Sequence, residues 1–303
     1  MMANIVNLGS LCIDHVYQVA DIAGPGETIS ATDYQVHPGG KGLNQSLAAA
    51  LAGASVAHAG CVGQDAAFLI DLLSNNNVDV TQVQTLPGAS GHALIQVNPA
   101  GQNAIVINGG TNRALTREFI NSVLDRLSPV DWLLLQNEIN ELPYILEQAS
   151  HRELQVAINI APPDEQIRSL PLDNIGLLIL NTHEARALTG VTDFDAMLDG
   201  LIQSYSGAMI VVTCGSKGLY YRNLGDTEFS QMSAFRAEAV DETAAGDAFI
   251  GYLLAELVNG QELRLALRAA SAAGALAVTK AGAASSLPTR AGVNEFLEHQ
   301  AEP

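Results

Sequence analysis

The stretch Asp241-Glu-Thr-Ala-Ala-Gly-Asp247 runs directly into an apolar helical segment, Ala248, Phe249, Ile250, Leu253, Leu254 and Leu257. A small-residue turn at a helix start leaves backbone N–H groups unpaired and pointing forward, which suits phosphate oxygens. Asp247 falls in the first turn, where the helix dipole favours negative charge. A carboxylate beside an anion-binding turn suits a base that orients and deprotonates a hydroxyl attacking a phosphoryl group. The same residues also fit a plain tight turn closed by an ordinary helix-start acid, so the assignment needs support from elsewhere in the chain.

A second motif, Pro38-Gly-Gly-Lys-Gly-Leu-Asn44, opens an Ala-rich segment over 43–52. It lacks the spacing of a P-loop and the GxGxxG order of a dinucleotide fold. Adjacent glycines let the backbone approach a ligand closely and swing, and Lys41 and Asn44 carry donors suited to sugar hydroxyls. A flexible loop entering a helix reads the same way.

Together the two motifs resemble the signature pair of the ribokinase family of sugar kinases. The resemblance extends over essentially the whole chain and keeps the family's order. It takes in Leu8-Gly-Ser10 with Asp14, the Gly39 to Asn44 loop, Asn181-Thr-His-Glu184 and Val212-Thr-Cys-Gly-Ser-Lys-Gly218. It continues through Asp241 to Asp247 and ends with Val278-Thr-Lys-Ala-Gly-Ala283 and Ser285-Ser-Leu-Pro288.

The resemblance implies ATP-dependent phosphorylation of the terminal hydroxymethyl group of a pentose, D-ribose first. By the same resemblance Asp247 is the catalytic base, and the backbone of Ala244, Ala245 and Gly246 is the anion hole. The sugar is placed on Asp14, Gly40, Lys41, Gly42, Asn44 and Glu138, with Asp247. ATP and its Mg2+ fall to Asn181, Glu184, Thr213, Gly215, Ser216, Gly218 and Ser271, with Ala245 and Gly246. A K+ ion falls to Asp241, Thr243, Ala277, Lys280, Gly282 and Ser286.

Two positions depart from the family pattern. Cys12 stands where an Asn is customary, two residues before Asp14, and a thiol is a weak hydrogen-bond partner. Deoxyribose, another pentose or a nucleoside are therefore alternative substrates. The loop before Asp164 reads Asn159-Ile-Ala-Pro rather than Asn-Pro-Ala-Pro. A non-catalytic sugar- or nucleotide-binding protein on the same fold is a different class of reading, but pure binding has no use for a base such as Asp247. A nicotinamide-dependent oxidoreductase lacks its GxGxxG after the first strand.

The elements that must position these residues follow from composition and pattern. With 303 residues, 48% of them hydrophobic and 15% charged, the chain is expected to form one α/β domain over 1–303. A formal charge of -18 without a basic cluster argues against nucleic acid and anionic membranes and for small-molecule partners. Cys12, Cys61 and Cys214 have neither disulfide nor zinc spacing, which suits the cytoplasm. The seven histidines are scattered and form no ligand set. The opening residues have no basic n-region, and no segment reads as a membrane span.

From about residue 115 onward, helical stretches alternate with short apolar runs at 132–135, 156–158, 177–180 and 209–212. Runs of this kind are strands buried on both faces, so a mostly parallel sheet covered by helices on both faces is expected, with Ile5-Val-Asn-Leu8 as its first strand. Val16 to Val36, and Ala93 to Val97 paired with Ala104 to Ile107, fall outside that rhythm. They are expected to form a small β-sheet lid, from about 15–36 and 92–108, through which the chain forms a homodimer.

Overall fold

Each apolar run is the centre of a strand in the computed structural model, which describes residues 4–300. In chain order the strands are β1 (Ile5–Leu8), β2 (Cys12–Gln18), β3 (Asp33–Gly39), β4 (Val56–Val62), β5 (Asp79–Thr85), β6 (Gly91–Val97) and β7 (Asn103–Asn108). They continue with β8 (Trp132–Gln136), β9 (Gln155–Asn159), β10 (Leu177–Asn181), β11 (Met209–Thr213), β12 (Leu219–Arg222) and β13 (Ser230–Met232). The helices are α1 (Lys41–Leu51), α2 (Ala67–Asn75), α3 (Arg117–Leu124), α4 (Leu142–His151), α5 (Thr182–Thr189), α6 (Phe194–Ser204), α7 (Ala245–Val258), α8 (Leu263–Ala277) and α9 (Arg290–Glu298).

Nine strands form one sheet in the order β13-β12-β11-β10-β9-β8-β1-β4-β5. The seven strands from β11 to β5 are parallel, and β12 and β13 add an antiparallel edge. Successive residues of each run point to opposite faces. Ile5, Leu134, Ala157, Ile179 and Val211 enter a core with α1, α2, α7, α8 and α9. Leu8, Leu135, Ile158, Leu180 and Val212 enter a second core with α3, α4, α5 and α6. Continuous apolar sequence is thus what two-sided burial demands.

The remaining four strands form the small sheet, ordered β3-β2-β6-β7. β6 pairs with β7 as expected, with Ala93 opposite Ile107 and Val97 opposite Asn103. The expected strand-like region 16–36 is divided between β2 and β3, which pair antiparallel. β3 ends at Gly39 and the chain enters α1 two residues later, so this sheet is coupled directly to the Gly-rich loop.

β4 carries His58, fully buried, with Nδ1 2.8 Å from Ser46 Oγ. Burial pushes its imidazole down to about 4, opposed only in part by the Gly9 carbonyl. As pH falls from about 6.5, the unfolded chain takes up a proton that the folded chain refuses, so stability is lost until about pH 4. The full shift is worth roughly 3 kcal/mol. Asp14, raised to about 6 by burial and then by Glu138, acts in the opposite sense and recovers part of the loss between pH 6 and 3.8. Between pH 6.5 and 5 the slope of unfolding free energy against pH is expected to be less positive in His58→Gln than in the native chain, because the opposing Asp14 contribution is left alone. Equal slopes would clear His58 of the effect.

Candidate active site

The carboxyl ends of the parallel strands lie along one edge of the large sheet, where open α/β sheets bind ligands. β1 leads to Ser10, β8 to Glu138, β10 to Asn181 and Glu184, and β11 to the turn after Thr213. β1 is also where the connections reverse, since the chain builds β4 and β5 on one side before it returns to β8 on the other. α1 and α7 pack together and bring their first turns to this edge.

Asp247 is buried, and both of its oxygens are held. Oδ2 accepts from Asn44 Nδ2 at 3.0 Å and Oδ1 from Gln45 Nε2 at 2.9 Å. Just before it, Ala244 caps α7 with φ +59°, a left-handed conformation that costs a non-glycine residue about 1 kcal/mol. That turn leaves the amides of Ala244, Gly246 and Asp247 without an acceptor among the described residues. Ala245 N–H, expected to belong to the anion hole, instead donates to Glu242 O at 3.3 Å. The free donors at the helix start are therefore those of its neighbours, including the amide of Asp247 itself.

Two clefts meet at this turn. The larger, about 310 Å³, is lined by Thr213, Ser216, Gly218, Phe235, Ser271 and Gly274. The smaller, about 230 Å³, is lined by Lys41, Asn159, Asn181, Glu184, Ala244 and Asp247. Thr213, Glu242, Gly246 and Phe249 border both, so the start of α7 is their common wall. The Asp247 carboxylate above all, aided by Glu138 and Glu184, raises the Lys41 ammonium above its ordinary range in spite of its burial. One fixed positive charge thus lies in an otherwise acidic pocket.

On the other side of Asp247, Glu138 Oε2 accepts from Ser10 Oγ at 2.5 Å and from the Lys41 N–H at 2.9 Å. Asp14 comes to this end on β2, within electrostatic reach of Glu138. Asn44 Oδ1 is buried with no partner among the described residues, an acceptor that a ligand hydroxyl would satisfy. Gly42 is already committed to the protein: its N–H donates to Ser10 Oγ at 3.1 Å and its carbonyl accepts from Asn7 Nδ2 at 2.8 Å. It holds the loop against β1 rather than presenting a backbone group. Gly40, with φ +94°, caps α1.

The Asn181 motif forms a full capping box, the plainer of the two functions its sequence allows. Asn181 Oδ1 accepts from Glu184 N–H at 2.9 Å, and Glu184 Oε2 accepts from Asn181 N–H at 3.0 Å. Glu184 nonetheless faces the smaller cleft and also accepts from Asn159 Nδ2 at 3.1 Å. Burial raises its carboxyl above the ordinary range, with the Asn181 amide and Lys41 pulling the other way. In the 215–218 turn, Gly215 is open to the cleft. Gly218 is needed for another reason: with φ +94°, an added Cβ would lie 2.1 Å from Met232 O on β13.

A carboxylate set between free amides at a helix start and a pocket with a free buried acceptor suits phosphoryl transfer to an alcohol. The pfkB family carbohydrate kinase profile matches residues 2–290 of the chain. The chain belongs to the pfkB family of carbohydrate kinases. This pfkB kinase is 33% identical to a ribokinase of Haemophilus influenzae over 308 residues, covering 99% of this chain and 100% of that one. It is 30% identical to a deoxyribokinase of Salmonella typhi, covering 97% of this chain and 98% of that one. Its fold superposes on an Arabidopsis thaliana ribokinase complexed with ribose and ATP with a TM-score of 0.86 and 27% identity, covering 99% and 100% of the two chains. The protein is thus a phosphotransferase acting on a sugar hydroxyl.

In this pfkB kinase three of the residues expected for K+, Asp241, Thr243 and Gly282, are linked by hydrogen bonds. Asp241 accepts from Thr243 N–H at 2.9 Å, Thr243 Oγ1 at 2.6 Å and Gly282 N–H at 2.8 Å. Burial pushes its carboxyl up, but these donors outweigh it and leave it below the ordinary range. Val278 O accepts from both Val240 and Asp241 N–H, which ties the 240–243 segment to the segment holding Ala277, Lys280, Gly282 and Ser286. Gln45, Asn159, Glu242, Phe235 and Phe249 also border or support the site. Gln45 adjoins Asn44 in a motif already marked, whereas Phe235 lies in irregular chain with no pattern around it.

Proposed function

We propose that this kinase transfers the γ-phosphoryl group of ATP to the terminal hydroxymethyl oxygen of a pentose, with D-ribose as the first substrate. The observation that carries the proposal is Asp247, held by two amides at the common wall of two clefts, beside free amides of a helix start. The nucleotide occupies the larger cleft, with adenine toward Ser271 and the triphosphate over the 215–218 turn. The sugar lies between Asn44, Glu138 and Asp14, its reactive hydroxyl against Asp247. A bond forms from the sugar oxygen to the γ-phosphorus, the bond to the β–γ bridging oxygen breaks, and the hydroxyl proton passes to Asp247. Lys41 and the amides of Gly246 and Asp247 stabilise the charge that spreads over the transferring group.

The metal proposals fit different donor sets. No cluster of three His, Cys, Asp or Glu able to hold an ion exists among the described residues. Mg2+, bound chiefly to phosphate oxygens with Glu184 acting through water, would neutralise triphosphate charge. Asp241 offers a carboxylate, and the 240–243 and 277–286 segments offer backbone carbonyls, an oxygen-only set suited to K+.

A second substrate, 2-deoxy-D-ribose, is favoured by Cys12. Its thiol is buried, in contact with Asn112 Nδ2 at 3.3 Å, and burial, then Glu138 and Asp14, keep it protonated. A thiol discriminates poorly against a sugar that lacks one hydroxyl, because no strong buried partner is left unsatisfied. ADP release should be measured with D-ribose, 2-deoxy-D-ribose and adenosine, each in KCl and in NaCl. Both pentoses are expected to react, within about tenfold of each other in kcat/KM, faster in KCl, and adenosine not at all. No ADP release with any pentose would overturn the proposal.

The small sheet is proposed to act as the lid of a single kinase domain and as a dimer surface. Val106 and Ile107 are 66% and 62% exposed on successive positions of β7. By register, Ile107 shares a face with Asp14 while Val106 lies on the opposite one, so substrate covers one face and a second copy the other. Light scattering at micromolar concentration is expected to give a dimer that Val106→Asp converts to monomer; a native monomer would rule this surface out.

A further inference from the structure

Behind Asp247 lies a chain of fully buried amides whose polarity is set from its far end. Asn7 Nδ2 donates to Gly42 O at 2.8 Å, and since a backbone carbonyl only accepts, the orientation of the Asn7 amide is determined. Its Oδ1 must then accept, which it does from Gln136 Nε2 at 3.1 Å. The second hydrogen on Gln136 Nε2 goes to Gln45 Oε1 at 2.7 Å. With its oxygen so engaged, Gln45 can present only its NH2 group forward, and Nε2 donates to Asp247 Oδ1 at 2.9 Å. Its other hydrogen points to Asn159 Oδ1 at 3.5 Å, and Asn159 in turn donates to Glu184 Oε2 at 3.1 Å. Asn7, Gln45 and Gln136 are all essentially inaccessible to solvent, so no water competes for these bonds.

We propose that Gln45 is a positioning residue for phosphoryl transfer: it touches neither substrate, but its directed amide fixes the rotamer of Asp247 and ties it to Glu184 on the other wall of the cleft. Asn44 alone could not do this, because a carboxylate held through one oxygen still turns about its last torsion, and the hydroxyl-facing lone pair turns with it. The amide chain converts that torsion into a single orientation before substrate arrives. The inference rests on Asp247 being the base.

The experiment compares Gln45→Met, Asp247→Asn and the double variant by steady-state kinetics with D-ribose and ATP, with thermal melts of each. Gln45→Met is expected to lower kcat by about tenfold or more, with KM for both substrates within about threefold. In the Asp247→Asn background the same substitution should change residual kcat by less than about threefold, because the group it positions is already gone. Losses that multiply across the two backgrounds, or a Gln45→Met variant with native kcat, would overturn the role of Gln45 while leaving Asp247 in place. An active Asp247→Asn would instead bring down the base assignment and this inference with it, and that single variant distinguishes the two failures. If Gln45→Met does not fold, Gln45→Glu, of equal size, replaces the donor by a group that must share a proton with Asp247. Its kcat–pH profile should move to higher pH on the acid side, and an unmoved profile would overturn the inference.

Discussion

Asp247→Asn is expected to lower kcat by about 10³-fold, the usual range for removing a general base, while the dissociation constant for the sugar changes by less than about threefold. The substitution keeps shape and burial but removes the negative charge toward which Asn44 Nδ2 and Gln45 Nε2 both donate. One of those two donors then meets an NH2 group, so a small loss of stability accompanies the loss of rate. Rates from ADP release, set beside sugar affinity from calorimetry, separate the two effects. A variant within tenfold of the native kcat would mean that substrate or solvent takes the proton and that Asp247 only orients the hydroxyl.

Gly251→Ala is expected to destabilise the protein by roughly 2 kcal/mol and to lower kcat by about tenfold or more, although the residue is a full helical turn beyond Asp247. Gly251 lies where α7 crosses α1, and an added Cβ would sit 2.5 Å from Ala48 Cβ, 2.7 Å from Ala49 N and 2.8 Å from Gln45 O. Two of those three neighbours are backbone atoms, so the helices must separate by a substantial fraction of an ångström rather than a side chain turn aside. Separation draws Asp247 away from Asn44 and Gln45, which come from the helix it is pushed off. Denaturant titration reads the first effect and kinetics the second. A stable variant with native kcat would show that the crossing tolerates displacement without disturbing the site.

The legible strands are those buried on both faces: Leu133 to Leu135 and Leu177 to Leu180 are apolar at every position because each side of the sheet has its own core. β4 and β5 are far less legible. β4 holds His58 for a buried hydrogen bond and Gly60 for its approach to Gly9 O, where a Cβ would come within 2.7 Å. β5 is the edge strand, half in water, and Asp79, Gln82 and Gln84 leave it without an apolar run. The turn before α7 was legible as small residues at a helix start, but which amides stay free was not. That depends on Ala244 taking a left-handed conformation and on the bond from Ala245 to Glu242, both products of the surrounding structure.

By itself the amino-acid sequence determined the chemical inventory and its order: a carboxylate at a helix start, a Gly-Lys loop before another helix, and the alternation of buried strands with covering helices. Those features are local, set by side-chain period and by backbone freedom over a few residues. Only the tertiary structure decided which donors hold the Asp247 carboxylate, since Asn44 and Gln45 lie 203 and 202 residues before it. Hydrophobic periodicity says which face of a helix turns inward, but a buried carboxylate must find its hydrogen-bond donors among whatever the packing brings beside it, and that is known only once α1 and α7 have met.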